Sequence, residues 1–185
     1  LAFSGTGAEF VYEGKKLDIT FVGDNASLGG ADNQARVAVY VDGERVVDEM
    51  INDVEKTFTA FENAEAKKVN VQIIKLSETA MSTVGVKPIA VADGEKITPA
   101  ESKAHKIEFV GDSITCGYGV DDEVKEHHFS TTTEDVTKAY AYKTAQKLNA
   151  DYSMVSISGY GIISGYTGNG QKVPQQTIPQ YYTKL

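Results

Sequence analysis

Along the first hundred residues, apolar and polar side chains change places at almost every step. Leu17, Ile19 and Phe21 alternate with Lys16, Asp18 and Thr20, the period of two expected of a strand with one wet face. Val37, Val39 and Val41 repeat the pattern and run into Asp42-Gly43, a two-residue hairpin turn, with Val46 and Val47 opening the return strand. Thr57–Phe61, Val69–Leu76 and Val84–Val91 read as further strands, and Asp93-Gly94 as another turn. No stretch here has the spacing of an amphipathic helix. The pattern predicts an N-terminal antiparallel β-sandwich, or jelly roll.

The pattern changes near Lys106. Ile107, Phe109 and Val110 form a short apolar strand ending at Gly111, followed by a glycine-rich polar stretch with Gly117, Gly119 and the loop Asp121–Ser130. A helix fits Asp135–Leu148, with Thr133 or Glu134 near its start and Asn149 suited to its stop. Tyr152–Ile157 is a second apolar strand, closing at Ser158-Gly159, and Pro179 suits the first turn of a later helix. Strand, helix, strand at this spacing is a βαβ unit, hence a parallel sheet with flanking helices. The boundary between the two styles falls near Thr98–Ser102, giving a sandwich over residues 1–100 and an α/β part over 101–185. Two parallel strands cannot bury both faces of a sheet. The α/β part is therefore expected to be incomplete within these residues, continued by more polypeptide or by a separate chain. Phe21-Val22-Gly23-Asp24-Asn25 echoes Phe109-Val110-Gly111-Asp112-Ser113, but nothing flanking the two agrees, so it reads as coincidence.

Composition narrows the function classes. The chain has 185 residues, 18 basic against 26 acidic, and a formal net charge of −8. Nucleic-acid binders need a basic face to displace counterions, so no nucleic-acid partner is expected. No apolar run approaches the ~18 residues of a membrane span, so no membrane partner is expected either. The single cysteine excludes an internal disulfide and a cysteine-cluster zinc site. The acidic residues read as scattered over exposed strands and loops without ligand spacing, so no metal and no cofactor are expected.

The most informative residues are Gly111-Asp112-Ser113-Ile114-Thr115, directly after a strand. A serine hydroxyl is a weak nucleophile unless a base takes its proton and donors await the oxyanion. A tight turn into a helix would present Ser113 at the carboxyl edge of the sheet, where open α/β proteins place their sites. It would also leave the serine's own N–H among the unpaired donors at a helix start. The bland alternative is that Ser113 only caps the helix, and Asp112 reads as steadying the turn. Cys116 reads as a small buried filler beneath that turn.

The run Ile107-Glu108-Phe109-Val110-Gly111-Asp112-Ser113-Ile114-Thr115-Cys116-Gly117-Tyr118-Gly119 resembles the first block of the SGNH (GDSL-type) hydrolases, and within them carbohydrate esterase family 2. Ala35–Val41, Arg45-Val46-Val47, Ile74–Glu78 and Met81–Gly85 resemble that family's N-terminal jelly roll. Lys138–Tyr142 and Leu148–Tyr152 resemble its first helix and second strand. The resemblance implies a secreted serine esterase that removes O-acetyl groups from xylan-like plant polysaccharide or oligosaccharide. It implies Ser113 as nucleophile, and the backbone N–H groups of Ser113 and Gly159 as oxyanion donors.

The family's later blocks, an asparagine donor and a catalytic histidine, are not found among these residues. His127 and His128 read as exposed loop residues, and His105 as lying at the opposite end of the strand from Ser113. Two other readings stay open: an SGNH hydrolase acting on another acyl ester, and a non-catalytic carbohydrate-binding module. The sandwich half, with no tryptophan and only Tyr12 and Tyr40 as tyrosines, offers few aromatic platforms for the latter.

Overall fold

Two long antiparallel strands organise the N-terminal part, β1 (Gly7–Gly23) and β4 (Glu55–Lys75). The computed structural model describes residues 1–184. Strand β2 (Ala35–Val41) pairs with Val71–Lys75 of β4, and β3 (Glu44–Ile51) lies outside β2. Strand β5 (Val84–Val86) pairs with the end of β1, and β6 (Lys96–Pro99) with Phe10–Glu13. The β2–β3 turn is Asp42-Gly43 as the sequence indicates, both residues being left-handed.

Sequence spacing separates Thr57–Phe61 from Val69–Leu76, yet the two are one strand. The polar stretch between them reads as a loop but pairs with an equally polar part of β1, Glu13 opposite Lys68 and Lys16 opposite Glu62. Residues 64–68 are exposed, so no hydrophobic alternation marks the pairing. Val84–Val91 is correspondingly shorter than its apolar content suggests, closing at Val86.

A register shift in the β1–β4 pair keeps the apolar side chains of both strands on one face. In β1 the buried positions are Phe10 and Tyr12, then Leu17, Ile19 and Phe21, so the inward parity switches from even to odd. The switch coincides with the register shift between Gly14 and Lys16, where Lys15 of β1 stands against residues 63–66 of β4, an odd slip that turns the following side chains over. In β4 the change is from Ala60 to Val69, Val71 and Ile73. Both halves of both strands therefore face one core, which also takes Val37, Val39, Val41 and Ile51.

The sheet has a second buried face. Successive side chains on a strand point to opposite sides, so Ala38 and Ile74 leave that core and join Leu76, Val136, Ala141 and Met154 in another. That second cluster seats the α/β part. It contains β7 (His105–Gly111) and β8 (Ala150–Ser156), parallel and in register from His105–Ala150 to Gly111–Ser156. The helices are α1 (Ser113–Cys116), α2 (Tyr140–Lys147) and α3 (Ile178–Tyr182). The architecture is thus an antiparallel β domain followed by a two-stranded parallel sheet with helices.

Two sequence expectations change here. The helix expected over Asp135–Leu148 is confined to Tyr140–Lys147, because Asp135 instead caps a 3-10 turn, Val136–Lys138, by accepting the Thr137 N–H. Asn149 does end the helix, at a positive φ of 45°. Strand β7 is not buried: Ile107 and Phe109 are half-covered and Val110 is 45% exposed. On its second face the Tyr182 hydroxyl of α3 donates to Glu108 at 2.8 Å, while Val110 stays exposed. No described helix is long and apolar enough to cross a membrane.

Candidate active site

Strand β7 delivers the chain into a tight turn. Asp112, not Ser113, is the N-cap of α1: its side chain accepts the Ile114 N–H at 3.0 Å and its carbonyl accepts the N–H groups of Thr115 and Cys116. Ser113 is the first helical residue, half-buried. Neither its N–H nor its hydroxyl makes a hydrogen bond among the described residues. Gly111 has no room for a side chain, because a Cβ would fall 2.1 Å from Thr115 Oγ1. Gly117 then ends α1 at a φ of 84°, and both it and Tyr118 donate to the Ser113 carbonyl.

The neighbouring strand reaches the same edge. Gly111 and Ser156 are in register, and the Ile157 N–H donates to the Gly111 carbonyl at 3.4 Å. Adjacent strands lie about 4.8 Å apart, so Gly159, three residues past Ser156, shares the carboxyl edge with Ser113. The Gly159 carbonyl accepts the Tyr166 N–H at 2.7 Å, while its own N–H has no acceptor among the described residues. The arrangement offers a serine hydroxyl and two free backbone donors at one sheet edge.

The other candidates lie elsewhere. His127 bonds to Asp122 and His128 to Asp32, both 3.1 Å, and both rings are exposed. His105 begins β7, at the far end from Ser113. Cys116 is fully buried beneath the turn, donates to Ser156 Oγ at 3.2 Å, and burial pushes its thiol up to about 12. It is inert filler. Tyr12, counted as a possible platform, is fully buried. A cleft of about 710 Å³ opens between Gly5–Glu9 and Asp151–Val155, but neither Ser113 nor Gly159 lines it.

The acidic residues are not all on exposed loops, contrary to the sequence expectation. Glu78, Glu134 and Asp135 are fully buried, as is Lys75. Residues 76–78, just past β4, meet the α/β part: the Leu76 carbonyl accepts the Val136 N–H, and Glu78 lies beside Cys116 of α1. The Glu78 N–H donates to Glu134 Oε2 at 2.9 Å, and Glu78 Oε2 accepts the Ser158 N–H at 2.8 Å. Lys75 Nζ donates to the carbonyls of Ser77 and Glu78. The two carboxylates and the Cys116 thiol converge within 4.8 Å, with the Lys75 ammonium as the cation of the group. The only sequence signal was Lys75-Leu76-Ser77-Glu78, charged residues at the end of an apolar run.

Burial, reinforced by the Glu78 carboxylate, raises the Glu134 carboxyl to about 8. Burial lowers the Lys75 ammonium to about 8, against the pull of Glu134 and Glu78. The Glu134 value lies above the 4.5 of an unfolded chain. Its contribution to stability is thus full below about pH 4.5 and is lost as pH rises through 8. Lys75, lowered from 10.5, acts only between about 8 and 10.5, losing its contribution as pH falls through that window. Between pH 5 and 8, the Glu134 contribution to stability is therefore expected to fall with rising pH. Glu134→Gln keeps an oxygen for the Glu78 N–H but has no proton to lose, and should flatten that slope. Urea titrations of both proteins at pH 5, 6.5 and 8 check this; equal slopes would refute it.

Two arginines fasten the loop that follows the turn. Arg36 forks onto Asp48 and reaches Asp121 at 2.8 Å and the Thr132 carbonyl at 3.0 Å. Arg45 bonds Asp48, Asp135 and Thr137 Oγ1. Burial works against the Asp48 charge, but the bonds from Arg36 and Arg45 outweigh it and hold the carboxyl below its ordinary value.

Residues 1–101 match the family described as Carbohydrate esterase 2 N-terminal. An acetylxylan esterase / glucomannan deacetylase of Cellvibrio japonicus (strain Ueda107) is 29% identical over 170 residues, which is 90% of this chain and 45% of that protein. A family two carbohydrate esterase from Clostridium thermocellum, solved in complex with cellohexaose, superposes with a TM-score of 0.79 at 25% identity, over 94% of this chain and 51% of that one. An acetyl xylan esterase from the rumen bacterium Butyrivibrio proteoclasticus shares the fold, with a TM-score of 0.83 at 24% identity over 98% of this chain and 47% of the other. The chain spans less than half the length of the curated relatives it matches.

Proposed function

Because this chain belongs to carbohydrate esterase family 2, we propose that it is the N-terminal portion of a secreted serine esterase removing O-acetyl groups from xylan-like polysaccharide or oligosaccharide. The observation that carries the reading is the pairing of Ser113 with Gly159 at one sheet edge, each with an unengaged backbone N–H. The Ser113 oxygen attacks the acetyl carbonyl carbon, and the two N–H groups receive the oxyanion. Collapse breaks the bond to the sugar oxygen, which takes the proton released by Ser113. Water then cleaves the acetyl-enzyme to acetate and free serine.

The base that carries the proton is a histidine outside residues 1–185. The three histidines of this chain support that assignment, two being held by Asp122 and Asp32 and the third at the wrong end of β7. The rest of the polypeptide, in one chain or two, supplies this base and covers β7. Ile114 in the turn is 72% exposed and Ile162, after β8, 78%, apolar surface of the kind that marks a contact.

Acetate release from acetylated xylan tests the reading. The full-length protein is expected to turn over, and residues 1–185 alone to fall at least a thousandfold short for want of the base. Robust turnover by the shorter chain would place the base among His105, His127 and His128 instead.

A further inference from the structure

The sheet edge explains how Ser113 is presented, but not what aims the Gly159 N–H. The Gly159 turn has three fixed points. The Tyr160 N–H closes onto the Ile157 carbonyl at 3.3 Å, the Tyr166 N–H holds the Gly159 carbonyl, and the Ser158 N–H is taken by Glu78 Oε2 at 2.8 Å. Ile157, at the head of the turn, is also held by the Gly111 carbonyl of β7; the Glu78 bond is the one that reaches the turn from the antiparallel domain, from a residue 80 positions earlier. Glu78 is fully buried, its own N–H is fastened to Glu134 Oε2, and its carbonyl is held by Lys75. Its backbone is thus held at both the N–H and the carbonyl, and its buried side chain reaches Ser158 from a fixed base.

We propose that Glu78 is a positioning residue for the esterase reaction, its carboxylate anchoring the Ser158 N–H so that the next peptide presents the Gly159 N–H to the oxyanion. This rests on the esterase reading above. A hydrogen bond donated by a backbone N–H to a buried side-chain oxygen is electrostatically stronger in a dry interior than in water. An oxyanion donor is useful only if fixed before the charge develops, and small misplacements near the reacting atoms are amplified in rate. The antiparallel domain thereby contributes to catalysis without touching substrate.

The test uses the full-length protein with Glu78→Leu and Glu78→Gln, active sites being counted with a fluorophosphonate so that unfolded molecules do not enter kcat. Glu78→Leu removes the acceptor and should lower kcat per site about ten- to a hundredfold at unchanged KM. Glu78→Gln keeps an amide oxygen for the Ser158 N–H and should recover kcat to within about threefold. Amide hydrogen exchange at Ser158 and Gly159 reads the same bond without turnover; exchange should quicken in Glu78→Leu and not in Glu78→Gln. Wild-type kcat per site in Glu78→Leu, unchanged exchange there, or a Glu78→Gln as slow as Glu78→Leu would each overturn the proposal while leaving the esterase reading intact. A wild-type protein that released no acetate from any acetylated polysaccharide would remove the esterase reading itself, and the catalytic role of Glu78 with it.

Discussion

Ser113→Ala in the full-length protein is expected to cut acetate release from acetylated xylan by roughly a thousandfold or more, the usual consequence of losing a nucleophile from a unit that acts together. The fold should not notice. The Ser113 hydroxyl has no hydrogen bond among the described residues, so its removal strands no buried partner, and a change within about 0.5 kcal/mol is expected. The combination is diagnostic. Full activity in the variant would mean that another group attacks the ester. A large loss of stability would mean that the hydroxyl caps or braces the turn, a task the structure gives to Asp112. Steady-state acetate release and urea denaturation of the same preparations decide between these outcomes.

Gly117→Ala is expected to be the most damaging small substitution near the site. Gly117 holds a φ of 84°, and a Cβ there would lie 2.6 Å from the Asp135 carbonyl oxygen and 2.9 Å from the Val136 nitrogen. A left-handed non-glycine residue costs roughly 1–2 kcal/mol and overpacking a further 1–3. The obstructing atoms are backbone and cannot swing aside, because Asp135 is tied to Arg45 at 2.8 Å and caps the following 3-10 turn. A loss of about 3 kcal/mol or more should result, with reduced turnover as the Ser113 turn shifts. Gly119→Ala separates the two contributions: its φ is 62°, yet nothing lies within 4 Å of the added Cβ, so only the left-handed cost of about 1–2 kcal/mol should appear. Equal losses in the two variants would show that the collision with Asp135 is relieved at no expense.

Much of this molecule could be read from residue order, and the unread parts share a cause. Alternation placed Leu17–Phe21 and Val37–Val41 correctly, and Asp42-Gly43 named its own turn, because local chemistry decides those elements. The middle of β4 escaped notice because its pairing is with an equally polar stretch of β1, a fact held in neither stretch alone. The helix before Asn149 came out short because Asp135 satisfies a backbone N–H locally and is itself bonded to Arg45, ninety residues earlier. The Gly111–Thr115 turn was legible as a motif; its support was not. Glu78 and Glu134 look like ordinary surface acids until the fold brings them together over a separation of 56 residues.

That last contact bears on how members of this family can be recombined. A crossover placed in the polar link between Pro99 and His105 looks natural, since the antiparallel sheet ends on one side and the parallel pair begins on the other. Yet it would draw Glu78 from one parent and Glu134 and Ser158 from another. Chimeras between relatives should therefore retain function only where both parents carry compatible residues at these three positions, however well each half folds in its own context. The inheritable unit is the buried hydrogen-bonded set, and it does not respect the visible seam.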